Sequence, residues 1–600
     1  MTLVLVVAIP FGTAIAMAIV GGRLGRRTLG ILTTIAMALS FGAALSMVAS
    51  LRDRPSVSAF VGPWLPIPGA DLALVVDSSM LAVTLAVTGV AALIALYSID
   101  YLSDDRGSRG FFAAFALLVG GTLLVILAAN LLLLFAGWEL AGVAAYLLVG
   151  HHRDRAPAAR AAVTLFVTER VGDAALLSGT LVLLSELHTV DLAQLGGVSI
   201  EHGSMAGGAL AAASVLLLIG ALAKSAQLPL HGWLAESAEA ATPVSAVLQT
   251  VAVTSGVVLL MRMRSILVPD VLHAAAFIGG LTAFAAALVA IAQRDVRRVL
   301  AWSTISQVGL MFVAAGLGAL FAARFQLMAH ALLKALLVLG AGSVRRAVGD
   351  ESDIGRYGGL WTRMRWTAGA FGIGTLALAG IPPAAGFFAT AAIVSAAFSE
   401  NEAVLTALVL LATLASAFAG VRLFALMFAA PAASARDAHE PPPLQDIPFL
   451  LLALGALGFG AVVSAEILPI GSGPTDTTPL WLLIATFAVA LAGAVSAWLG
   501  YRHGLPRAAR IENAMRWARG GFGIDVAYAR GIAGPLAIAA RECEVGAERV
   551  NERVVDALAG APVSVSRALR RWLPDGQRAQ QALVLTGTLA LLAFWTLSGR

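Results

Sequence analysis

Apolar runs of about twenty residues recur along the whole chain, and a run of that length is enough to cross a bilayer as a helix. Sixteen such runs can be counted, at roughly 2–20, 29–51, 79–98, 112–129, 131–149, 161–186, 207–230, 243–264, 272–292, 299–320, 322–343, 366–396, 403–430, 447–468, 479–501 and 581–598. Lipid offers no hydrogen bonds, so each run must satisfy its own backbone groups as a helix. The fold expected is an all-α polytopic membrane protein. Composition agrees: 12% of residues are charged, about half the usual ~25% of globular chains. No basic stretch precedes the first run, so no cleavable signal is expected.

The basic residues give the sidedness. There are 40, of which only two, Lys224 and Lys334, are lysine. If the spans alternate in direction, the loops fall on two sides, and 30 of the 38 arginines lie on one of them. By the positive-inside rule that side is the cytoplasm, and both termini face outward. Arginine on cytoplasmic loops also accounts for the basic pI, so nucleic acid is not an expected partner. A single cysteine, Cys543, excludes disulfide frameworks, Cys-based zinc sites and iron–sulfur clusters.

One stretch stands apart. Residues 502–580 are polar and carry both charge signs, and within them 534–560 places Val545, Val550, Val554 and Leu558 at helical spacing. That pattern predicts an amphipathic helix lying along a partner surface, followed by an anchor helix in 581–600.

Ionisable groups inside spans cost about 3 kcal/mol or more near the bilayer centre, so they are functional candidates. The candidates are Glu139, Glu169, Arg170, Asp173, Lys224, His330 and Lys334. Arginine stays protonated, whereas a buried lysine can become neutral. A site that must cycle its charge can therefore use lysine and not arginine. Glu139 and Lys224 are expected to pair across helices. His330 and Lys334 are four apart, share a helix face, and suit a proton relay.

Two spans look broken, by Pro229 and by Pro382-Pro383. Breaks inside spans are tolerated beside protein or water-filled cavities. They lie five spans apart, an odd offset that inverts the second unit. The expected organisation is N-terminal helices in 1–111, two inverted five-helix repeats in 112–264 and 272–430, and additional helices in 447–501.

The motifs WELAGVAAYLLVG (138–150), TERVGD (168–173), AKSAQLPLHGWLAES (223–237), TPVSAVLQ (242–249), RDVRRVLAWSTISQVGLMF (294–312) and FQLMAHALLKALLVLGAGSV (325–344) carry a resemblance. So does GFGIDVAY (521–528) with the amphipathic stretch after it. The chain resembles the antiporter-like L subunits of respiratory complex I, the proton-pumping NADH–quinone oxidoreductase. The resemblance implies a translocating subunit in the cell's inner membrane, set beside K-, M- and N-type subunits along a lateral helix. It implies no redox cofactor in this chain. Glu139 matches the family's first half-channel glutamate, Lys224 its partner lysine, Asp173 the aspartate of the RVGD motif, and His330 and Lys334 the central carriers. Three positions depart. Gln249 and Gln326 stand where the family carries histidine, and Thr390 stands where it carries a lysine. Related subunits occur in Mrp-type cation/proton antiporters, membrane-bound hydrogenases and proton-driven inorganic-carbon uptake systems, and these remain alternatives, as does Na⁺ in place of H⁺.

Overall fold

The computed structural model describes residues 1–52, 54–197, 207–431, 438–464, 478–504 and 515–523, with positions 538 and 542. Two compact units emerge, Met1–Asp525 and Val526–Arg600. All the described helices belong to the first. The expected amphipathic helix in 534–560 and the anchor in 581–598 lie outside the described residues, apart from two isolated positions.

The chain opens with helices α1 (Thr2–Val20) and α2 (Arg26–Ser50). A hairpin of β1 (Ser56–Pro63) and β2 (Asp71–Asp77) follows. Next come α3 (Ser78–Tyr101), α4 (Ser108–Leu127), α5 (Leu131–Val149), α6 (Ala156–Leu187), a short α7 (Leu192–Gly197) and α8 (Gly207–Lys224). Two short helices, α9 (Gly232–Glu236) and α10 (Thr242–Val247), lead through a π-turn into α11 (Thr254–Met263). Then come α12 (Pro269–Ala292), α13 (Val296–Gly316), α14 (Leu320–Ala347), α15 (Arg365–Ala379) and α16 (Ala385–Ser399). The series closes with α17 (Ala403–Phe424), α18 (Pro443–Ser464) and α19 (Leu480–Tyr501).

Twelve helices among the described residues are long and apolar enough to span a membrane, and the protein is a multi-pass membrane protein. The expected run at 161–186 is helical as α6, but its charges keep it off that count. The runs at 207–230 and 366–396 form shorter pieces, because both are interrupted. After Lys224 the chain leaves the helix through Ala226, whose φ is 51°, and a cis Leu228–Pro229 bond. The released backbone finds other partners: Gln227 N–H donates to the Leu222 carbonyl at 2.9 Å, and Leu230 N–H to that of Gln227 at 2.7 Å. The second interruption ends α15 at Gly380, φ 68°, and passes through a cis Pro382–Pro383 bond into α16.

The helical expectation holds, and one two-stranded hairpin is added to it. The two strands pair antiparallel from Ser56 with Asp77 to Pro63 with Asp71, Gly69 in the connection has a φ of 78°, and Leu74 and Val76 are buried at alternate positions of β2. The second strand leads straight into α3, where the Asp77 carboxylate caps the helix by accepting from Met80 N–H at 2.7 Å. Asn130 and Asp295 do the same for α5 and α13.

Helix pairs α4/α5 and α12/α13 cross at glycines. A Cβ on Gly121 would stand 2.7 Å from Ala141 N, and one on Gly279 would stand 2.6 Å from the Gly309 carbonyl. Small residues let membrane helices approach this closely, and packing then replaces the hydrophobic driving force that lipid removes.

Candidate functional site

The first buried cluster gathers on α5, α6 and α8. Glu169 and Asp173 are four apart on α6, so both carboxylates project from one face. Lys224, the last residue of α8, reaches that face. Its Nζ lies 3.0 Å from Glu169 Oε2 and donates to the Trp138 carbonyl at 3.2 Å. The ammonium also stands 5.4 Å from the centre of the Trp138 ring, within cation–π range. Trp138 Nε1 donates in turn to Asp173 Oδ1 at 2.6 Å. Lys224 and Glu169 are 2% and 1% exposed, so this pair is held away from water.

Glu139 has a different partner from the one expected. Arg170 Nη1 lies 2.5 Å from Glu139 Oε2, and Arg170 Nη2 lies 2.5 Å from Asp173 Oδ2. The direct Glu139–Lys224 pair is thus replaced by two linked pairs, Lys224–Glu169 and Arg170 with Glu139 and Asp173. The physical reason is register. Glu169 is buried on the α6 face that packs on α8, whereas Glu139 is 27% exposed and sits beside Arg170. Space for the inner pair comes from Gly142, one turn after Glu139. A Cβ there would fall 2.8 Å from Glu169 Oε2 and 2.9 Å from Lys224 Nζ.

The second cluster lies on α14. Lys334, His330 and Gln326 follow at four-residue steps on one face, and all three are fully buried. Lys334 Nζ donates to the Leu300 carbonyl at 3.1 Å and to Ser303 Oγ. No carboxylate pairs with it among the described residues. His330 Nε2 hydrogen-bonds the Gln249 carbonyl at 2.9 Å, and the Gln249 side chain accepts from Thr304 Oγ1 at 2.8 Å. Gln326 Nε2 donates to Gln307 Oε1 at 2.6 Å, and Gln307 and Ser306 both reach Ser416 Oγ on α17, at 3.5 and 3.4 Å. His330 Nδ1 and Gln326 Oε1 have no hydrogen-bond partner among the described residues.

The polar positions therefore form a file along α14, from Lys334 through His330 and Gln326 to Gln307 and Ser416. A small cavity is lined in part by Leu300, whose carbonyl accepts from Lys334. It is lined by Gln249 and Leu300 in the interior and by Arg297 and Arg345 at the helix ends. Between the two clusters, Ser225 Oγ donates to the Val253 carbonyl at 2.7 Å and Gln227 lies fully buried. Thr390 is buried on α16.

Sequence reasoning noted Glu169 and Arg170 as intramembrane charges but did not place them in the site. Their spacing from Asp173 was a usable signal, since steps of four and three residues put each of them beside Asp173 on the helix surface. Nothing in the sequence marked Gly142.

A polytopic fold with broken helices and buried lysines defines an antiporter-like membrane subunit, and comparison with known proteins places it. The family model for NADH:quinone oxidoreductase/Mrp antiporter transmembrane segments matches residues 128–416. The model for the N-terminus of NADH-ubiquinone oxidoreductase (complex I) chain 5 matches residues 64–112. The chain is 34% identical over 476 residues to NADH-quinone oxidoreductase subunit L of Mycobacterium tuberculosis, covering 77% of this chain and 75% of that one. It is also 34% identical over 487 residues to NADH-ubiquinone oxidoreductase chain 5 of Cryptococcus neoformans, covering 78% and 72%. Among solved structures it overlays on the Mrp complex from Dietzia sp. DQ12-45-1b with a TM-score of 0.76 at 25% identity. That match takes in all of this chain, which spans only 63% of the Dietzia chain's length. The archaeal membrane-bound sulfane sulfur reductase shares the fold, with a TM-score of 0.70 at 22% identity over 83% of this chain and 99% of that one. The chain belongs to the family of NADH-quinone oxidoreductase subunit L and chain 5.

Proposed function

We propose that this chain is the L-type proton-translocating membrane subunit of an NADH–quinone oxidoreductase complex, set in the inner membrane of the cell. The observation that carries the reading is Lys334. An ammonium in the middle of a buried helix, with only a carbonyl and a hydroxyl as partners among the described residues, is costly unless its charge has a use. A lysine that gains and loses a proton in place supplies that use.

In this reading Glu139, held by Arg170 at the partly exposed edge of the first cluster, accepts protons from the arginine-rich face. Lys224 holds its proton while Glu169 is ionised beside it and releases it when that pairing weakens. His330 and Lys334 form the central relay. The file through Gln326, Gln307 and Ser416 runs from Lys334 toward the start of α14, the arginine-poor face, and offers an outward route that does not need a lysine at Thr390. Glutamine and serine do not titrate in this range, but they hold water chains in place. Coupling is electrostatic: a charge arriving at one pair shifts the proton affinity of the next. Redox chemistry belongs to partner subunits, and K-, M- and N-type subunits are the expected neighbours. The two-repeat organisation, 112–264 and 272–430, is supported by one interrupted helix and one glycine-crossed helix pair in each half.

A second reading, an Mrp-type cation/proton antiporter subunit, is favoured by the overlay on the Dietzia Mrp complex. The experiment that separates them is purification of the assembly with its neighbours identified, followed by proton uptake in inverted vesicles. NADH-driven uptake lost in Lys334→Ala, with assembly intact, is the expected result. Normal uptake in that variant sinks the mechanism, and Na⁺-driven exchange without NADH oxidation moves the chain to the second reading.

A further inference from the structure

Away from the buried files, one cluster on the arginine-rich face brings together three side chains of types that can ligate a metal. Asp105 sits in the turn between α3 and α4, while His151 and His152 belong to the 3-10 turn that ends α5. Both imidazole Nε2 atoms converge on the same carboxylate oxygen, Asp105 Oδ2, at 2.9 and 3.4 Å. Successive residues of a 3-10 turn point about 120° apart. Two neighbouring rings therefore meet at one point only when their side chains turn toward it, and here the ring centres are 4.6 Å apart.

The surroundings fix the donors. Gly107 N–H donates to the other Asp105 oxygen at 2.6 Å and so sets the carboxylate's direction. A Cβ on Gly107 would stand 2.6 Å from His151 Cε1, so the turn leaves room for this ring only because it is glycine. Phe111 packs edge-on against His151 with centres 5.8 Å apart, and the His151 side chain is 7% exposed. His152 is 36% exposed, which leaves one side of the cluster facing solvent.

The donor set is two imidazole nitrogens and one carboxylate oxygen. Calcium and magnesium take oxygen ligands, whereas imidazole with carboxylate suits zinc and its neighbours in the transition series. A tetrahedral ion with bonds of about 2.0–2.1 Å places its ligand atoms about 3.3 Å apart. The observed 2.9 and 3.4 Å bracket that separation, and one donor atom from each residue lies within 4.8 Å of the others. We infer that Asp105, His151 and His152 bind one divalent zinc-class ion, with the solvent-facing side supplying its remaining position. The ion would tie the α3–α4 turn to the end of α5, the helix that also carries Glu139.

Cobalt titrated into the full chain, purified in detergent, tests this directly. The expected result is a saturable visible spectrum of nitrogen-ligated Co²⁺ at one ion per chain, bleached by an equivalent of Zn²⁺. His152→Gln, at a partly exposed position that leaves the fold intact by its unchanged thermal transition, should weaken binding at least about tenfold. The double variant His151→Gln/His152→Gln should abolish it. A wild-type chain with no saturable spectrum, an octahedral spectrum only, or a double variant that binds like wild type would overturn the site and leave the cluster a hydrogen-bonded turn.

Discussion

Lys224 is paired with Glu169 at 3.0 Å, and Glu139 is paired with Arg170 at 2.5 Å. The lysine at the end of the interrupted helix therefore answers first to a carboxylate on α6, and the α5 glutamate acts on it through an arginine and Asp173. The arrangement puts three carboxylates and two cations within a few ångströms. Any change of charge at the outer pair is felt by the inner one.

Removing the inner carboxylate should expose this. Glu169→Gln leaves a buried ammonium without its counter-charge, a change that typically costs about 3–5 kcal/mol. Proton uptake in inverted vesicles should fall as far as in Lys224→Ala, while Glu139→Gln should retain more activity because Asp173 still holds Arg170. Equal loss from the two glutamate variants would show that the α5 and α6 carboxylates are equivalent.

Gly142 is the structural condition for that pair. Gly142→Ala places a methyl group between Glu169 and Lys224, and overpacking of this kind costs about 1–3 kcal/mol. The expected outcome is a lowered thermal transition together with impaired uptake. Gly12→Ala, where an added Cβ meets nothing within 4 Å, serves as the control.

Lys334 should not tolerate arginine. Lys334→Arg keeps the positive charge but cannot give it up, so uptake should be nearly as low as in Lys334→Ala. Transport close to wild type in the arginine variant would mean that a fixed charge suffices at this position.

Asp295 supplies a pH signature at the arginine-rich edge. Burial opposes its ionisation, but the Arg297 side chain and its N–H both bond the carboxylate and hold its pKa below the ordinary 3.8. A depressed carboxyl contributes stability that is present above the unfolded pKa and lost as pH falls through the folded one. The thermal transition of the detergent-solubilised protein should therefore drop on acidification below about pH 4. Asp295→Asn should start lower and lose part of that drop. An unchanged acid limb in the variant would remove Asp295 from the account.

The one-dimensional pattern determined a good deal. Apolar run length identified the helices, because lipid leaves the backbone no other way to satisfy itself. Arginine placement gave an expected sidedness, and the restriction of lysine to positions 224 and 334 pointed to the two groups now found buried. The interruptions at Pro229 and Pro382-Pro383 were also legible, since proline removes a helix donor wherever it stands. What the sequence could not decide was which charges meet. Pairing across helices depends on how far each is rotated and shifted against its neighbour, and the periodicity of one helix says nothing about that. Only the packed structure set Glu169 rather than Glu139 against Lys224, used the missing side chain of Gly142 to make room for them, and joined Gln326 and Gln307 into a file beside a lysine with no counter-charge among the described residues.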